Sequence, residues 1–103
     1  MATHAYMYVW EFIVATEHVA AFEQAYGPDG DWVRLFRRAE GYLRTELLKD
    51  PSRPGRYLTV DAWASRGQWE EFRTQFAKEF EALDAQCEGW TVSEPEIGRF
   101  DAW

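Results

Sequence analysis

One cysteine, Cys87, stands among 103 residues, which excludes an internal disulfide and a cysteine-rich metal site. Histidine is nearly as scarce. His4 and His18 have no Cys or carboxylate at metal-ligand spacing, so no metal is expected. No apolar run is long enough to cross a bilayer and no basic, apolar leader is visible, so the expectation is a cytoplasmic protein without a membrane partner. Basic residues are in deficit too: 11 Lys and Arg against 18 Asp and Glu give a formal net charge of -7. That charge repels phosphate backbones and acidic membrane surfaces, so nucleic acid is not an expected partner. Also missing are a Gly-rich phosphate loop, a Gly-x-Ser-x-Gly elbow, a Cys/His pair at useful spacing and an aromatic-and-basic RNA motif. Nucleotide, hydrolase and RNA readings fall with them.

Aromatic residues are abundant instead. Six Trp, five Tyr and seven Phe make up 17% of the chain, more ring surface than a minimal core needs. Such surface belongs in a core, an interface or a ligand pocket. The length suits one domain over residues 1–103, with one core.

Residues 56–87 organise the chain. Arg56 to Ala64 has the two-residue period of a strand. After Ser65 the period becomes helical, with Trp69, Phe72, Phe76, Phe80, Leu83 and Cys87 on one stripe of a single long helix. Ser65 with Gln68 three positions on predicts a capping box at the switch. Burying five large apolar side chains of this stripe is worth on the order of 10 kcal/mol before ordering entropy is subtracted.

Residues 5–14 read as the first strand, with Tyr6, Tyr8, Trp10 and Phe12 on one face and Met7, Val9, Glu11 and Ile13 on the other. Both faces are largely apolar and helices are available for one, so a homodimer packed sheet to sheet is expected. Thr16 is placed to cap a first helix striped by Val19, Phe22 and Tyr26, and Gly27-Pro28-Asp29-Gly30 ends it. Asp31 is placed to cap a short helix carrying Trp32, Leu35 and Phe36, either a packing turn or a lid over a pocket. Residues 42–49 form the second strand. The run from Trp90 to Phe100 forms the last, interrupted at Pro95, which favours an edge or a bulge. The order predicts an α+β, ferredoxin-like βαββαβ fold, a four-stranded antiparallel sheet with both helices on one face.

The segments YVWEF in the first strand, GYLRTELL after the first helical region, YLTVDAWASRGQWEEF across the third strand and second helix, and the closing EPEIGRF together resemble the antibiotic biosynthesis monooxygenase (ABM) family. The resemblance covers nearly the whole chain. It implies a dimeric α/β barrel, a pocket between sheet and helices in each subunit, and oxidation of aromatic polyketides without metal or flavin, or degradation of heme. Both kinds of member are associated with an Asn and a Trp, with a Tyr or His as further partner. This chain has no Asn; Phe72 stands near the helical Trp position of heme-degrading members and Ala82 near their His, so heme degradation is disfavoured. Trp63 matches the family's recurrent strand-end Trp. The resemblance therefore implies a cofactor-independent monooxygenase acting on an aromatic or polycyclic small molecule. The alternative is a non-catalytic dimer that binds a hydrophobic metabolite.

Such an oxygenation needs a substrate that can be deprotonated, a base, and a dry aromatic pocket that positions O₂. Asp61 and Glu11 are the notable carboxylates, because each interrupts an otherwise apolar strand. Each is either a buried base, or is paired with Arg44 or Arg99 on a neighbouring strand, or points to solvent. His18 is the third candidate for proton transfer, since imidazole titrates near neutral pH. Trp10, Trp32, Tyr42, Trp63 and Trp69 are the candidate walls for a planar substrate, with about two of them expected at a cavity and the rest in packing. Arg34, Arg37 and Arg38 form the one local basic cluster, and Cys87 reads as a small buried hydrophobe.

Overall fold

The alternation read in residues 5–14 becomes strand β1, Tyr6–Val14, the centre of an antiparallel sheet in the computed structural model, which describes residues 4–103. Helices α1 (Val19–Tyr26) and α2 (Asp31–Phe36) follow, then the hairpin of β2 (Tyr42–Lys49) and β3 (Arg56–Trp63). Helices α3 (Arg66–Gln75) and α4 (Ala77–Cys87) lead to β4 (Thr91–Ser93) and β5 (Glu96–Asp101). The strand order is β2-β3-β1-β4, with β5 also paired to β1, the ferredoxin-like arrangement expected. The expected last strand is two. Pro95, with no N–H to donate, interrupts it, its carbonyl accepting from the Glu11 amide at 3.0 Å where the β1–β5 register slips.

Helix starts follow the sequence unevenly. Ser65 Oγ accepts from the Gln68 amide at 3.2 Å and caps α3 as predicted. Thr16 caps nothing. It opens a 3₁₀ turn, Thr16–His18, whose cap residue is Ala15, and α1 begins at Val19. Asp31 is the first residue of α2, behind Gly30, and pairs with Arg34 at 2.5 Å. The expected single long helix is broken at Phe76 (φ -109°, ψ 27°) into α3 and α4. No Pro or Gly marks the break. It leaves Phe72 and Phe76 both buried, their rings 5.6 Å apart, with the Arg38 guanidinium 5.0 Å from the Phe76 ring.

All four helices cover the face of the sheet that bears Tyr6, Tyr8, Phe12, Tyr57 and Trp63. Trp63 has no solvent exposure and meets Phe36 and Phe72 with ring centroids 5.6 and 5.0 Å away; Cys87 is buried in the same cluster. The other face carries Met7, Val9, Ile13, Leu58 and Val60, all half-buried. Flanking it are Leu48, 46% exposed, and Phe100, 51% exposed. Among the described residues no helix is long and apolar enough to cross a membrane.

Candidate active site

Strand register builds one row across the sheet. Thr45 of β2 lies opposite Asp61 of β3, Asp61 opposite Tyr8 of β1, and Tyr8 opposite Arg99 of β5. Because side chains alternate, the four share the helix-facing side. Above them the helices leave a cavity of about 150 Å³. Trp10 and Phe12 of β1, Tyr26 of α1, Trp32 and Phe36 of α2 and Phe80 of α4 wall it, with Thr59 and Asp61 in its floor. Its mouth is charged. Trp69 stands there with the guanidiniums of Arg73 and Arg99 at 5.7 and 5.1 Å from its ring, facing Asp84, Glu94 and Glu96. Arg99 pairs with Glu96 at 3.1 Å.

Asp61 is 6% exposed and meets no cation among the described residues. The Thr45 hydroxyl donates to its Oδ1, and the Tyr42 hydroxyl donates to Thr45 Oγ1 at 2.7 Å. Burial disfavours its charge more than the Thr45 hydrogen bond restores it, so its pKa is pushed up to about 7. Beside it, Tyr8 accepts from Trp63 Nε1 at 3.2 Å, and burial with the nearby Asp61 charge pushes its phenol well up. Tyr8 is therefore a neutral hydroxyl at physiological pH. Among the described residues no group of three His, Cys, Asp or Glu is placed to hold a metal ion.

Of the five aromatic candidates, Trp10, Trp32 and Trp69 line the cavity. Trp63 is sealed in the core behind it, and Tyr42 lies outside, its ring on Phe36 and Trp63. The three proton-transfer candidates separate. Asp61 is in the floor, whereas Glu11 is on the opposite face, 2.7 Å from Arg56 Nε, and His18 ends the 3₁₀ turn, half-exposed, 4.0 Å from Glu17. Neither carboxylate has the partner expected of it: Glu11 takes Arg56, and Asp61 takes a threonine. The cluster Arg34, Arg37 and Arg38 is paired with Asp31, Asp29 and Glu79. In the segment read as a packing turn or a lid, Trp32, Val33, Leu35 and Phe36 are all buried, and Trp32 and Phe36 also wall the cavity. Sequence reasoning missed Tyr8, Thr45 and Arg73. Counting back from the Asp50–Gly55 turn pairs Thr45 with Asp61 and was the available signal.

The sheet order, the one-sided helical layer and the cavity between them define an α+β protein of ferredoxin-like fold. The ABM model, antibiotic biosynthesis monooxygenase, matches residues 5–82, and the chain belongs to that family. Among solved structures it is similar to a candidate antibiotic biosynthesis monooxygenase of Nitrosomonas europaea (15% identity, 99% of this chain and 93% of that one, TM-score 0.74). It is also similar to SnoaB, a cofactor-independent oxygenase of Streptomyces nogalater (19% identity, 98% and 95%, TM-score 0.65). A third is PA3566 of Pseudomonas aeruginosa (13% identity, 100% and 98%, TM-score 0.73). No curated protein sequence matches significantly.

Proposed function

We propose that the protein is a cofactor-independent monooxygenase that holds an aromatic or polycyclic phenol in the cavity beneath the helices and uses Asp61 as the base. The observation that carries this reading is a carboxylate without a cation in the floor of a cavity walled by aromatic rings. A base works best with a pKa near the working pH, and burial sets Asp61 there. Trp10, Trp32, Phe36 and Phe80 supply flat apolar walls that stack a planar substrate and keep water from the reaction. Asp61 takes a proton from the substrate, leaving an electron-rich anion that reduces O₂. A carbon–oxygen bond forms, Asp61 returns its proton to the peroxide, and loss of the second C–H proton with cleavage of the oxygen–oxygen bond releases water, so that CH₂ plus O₂ becomes C=O plus H₂O.

Two copies pack through the sheet face that the helices leave bare. Met7, Val9, Ile13, Leu58 and Val60 with half-exposed Leu48 and Phe100 make that face apolar, which a lone subunit would present to water.

The test is oxygen uptake with a panel of anthrone-like phenols, for the native protein and Asp61→Asn. Uptake stoichiometric with substrate, lost in the variant, is expected. Binding that quenches cavity tryptophan fluorescence without oxygen uptake at any pH above 7 would make the chain a binding protein instead. Light scattering is expected to give twice the chain mass of 12.1 kDa.

A further inference from the structure

A buried base must shed its proton to solvent before it can accept one from a substrate, and the charged mouth of the cavity offers one path. A second path leaves Asp61 in the other direction. Thr45 and Tyr42 lie on β2, the edge strand of the sheet, and link Asp61 to the rim of the fold through two hydroxyls. In a regular strand residues three apart point to opposite faces. Here the β2–β3 register slips by one between Tyr42, opposite Trp63, and Arg44, opposite Ala62. That bulge leaves Leu43 half-exposed and turns Tyr42 to the same side as Thr45. Without it the Tyr42 hydroxyl would point away from the row that holds Asp61.

We propose that Thr45 and Tyr42 form a hydroxyl relay that exchanges the Asp61 proton with solvent at the β2 edge, readying the carboxylate before substrate binds. Each hydroxyl can both donate and accept. With Asp61 ionised, Tyr42 donates to Thr45 and Thr45 to Oδ1, as observed. With the proton on Oδ1 the order reverses: Asp61 gives its proton to Thr45, Thr45 passes its own to Tyr42, and Tyr42 releases one to water. The carboxylate is restored and no other group changes. Tyr42 is half-buried with its ring against Phe36 and Trp63, and burial, ahead of the neighbouring Thr45 and Arg37, holds its phenol up and protonated. The remaining charged or titratable groups around the cavity are Tyr8 on β1, Tyr26 on α1, Arg73 on α3, Asp84 on α4, Glu94, and Glu96 with Arg99 on β5, and Arg37 is the charge beside Tyr42.

In turnover the relay rests on Asp61 being the base of the reading above, but its conduction is a property of the substrate-free protein and is measured there. A pH jump followed by infrared absorption of the Asp61 carboxyl, assigned with Asp61→Asn, reads the rate and midpoint of its protonation. Thr45→Ser is expected to match the native protein. Tyr42→Phe is expected to slow the relaxation roughly tenfold at an unchanged midpoint, and Thr45→Val to slow it as much and raise the midpoint, because a hydrogen bond to the charged form is lost. A purely structural role would leave the Tyr42→Phe rate at the native value. Native rates in both Tyr42→Phe and Thr45→Val, or an equal slowing in Thr45→Ser, overturn the relay. Slowed relaxation in a protein that consumes no oxygen with any phenol upholds the relay and removes the oxygenase reading. Should Thr45→Val fail to fold, Tyr42→Phe, which removes one oxygen from a half-buried ring, decides the matter alone.

Discussion

The two faces of the sheet each hold one strand carboxylate, and their surroundings could hardly differ more. On the bare face Glu11 is gripped by Arg56 at 2.7 Å, and Arg56 reaches on to Asp50 at 3.0 Å. Under the helices Asp61 has a threonine hydroxyl and aromatic rings, with no cation. An ion pair consumes a carboxylate's charge in holding structure; a buried carboxylate with a single neutral donor keeps a proton affinity that chemistry can use. Residue type and strand position are alike in the two cases. The face decides the role.

The sharpest way to break this contrast is Asp61→Asn. If Asp61 is the base, oxygen uptake with a responsive phenol falls by about 10²- to 10⁴-fold, while native kcat/KM rises with pH through about 7 as the carboxylate ionises. Next in size is Val60→Asp on the bare face, which places a charge among apolar neighbours at the proposed interface. Light scattering is expected to fall to the 12.1 kDa of one chain.

Asp61 also predicts a stability difference whose sign is fixed. Its folded pKa, about 7, lies above the ordinary 3.8, so between those values the folded state keeps a proton the unfolded chain has released. Stability therefore falls as pH rises across that window and levels off above it, by on the order of 4 kcal/mol in all. Asp61→Asn cannot ionise, so its Tm is expected to exceed the native value by about 15 °C or more at pH 8 and to approach it near pH 4, at matched protein concentration. An equal Tm difference at both pH values would show that Asp61 is not ionised against burial. The smallest effect is expected of Glu11→Gln. On the opposite face from the cavity, it should change oxygen uptake by less than about twofold, the scale of a surface substitution.

Much of the fold was legible because it is written in periods. Alternation in β1 separates Tyr6, Tyr8, Trp10 and Phe12 from Met7, Val9, Glu11 and Ile13, and the two sets do occupy opposite faces. Ser65 marks the start of α3, and Pro95 marks the break between β4 and β5, since capping and a missing N–H act locally. The break at Phe76 has no such mark. It reflects how two neighbouring aromatic rings reach the same core, which depends on what they pack against. The site was legible in part for the same reason. Asp61 and Trp10 stand out as residue types in strands, but Trp63 and Tyr42 were indistinguishable from cavity aromatics until their neighbours were placed.

By itself, then, the sequence determined the elements, their apolar faces and the presence of carboxylates within two central strands, because short-range periods and residue chemistry suffice for these. Only the tertiary structure decided which carboxylate met a guanidinium and which met a threonine. Register sets that choice: an added residue at Leu43 and a turn at Asp50–Gly55 bring Tyr42, Thr45 and Asp61 into line, while Arg56 is drawn to Glu11 on the far side. Partners many positions apart along the chain are joined by strand pairing, and no local pattern records them.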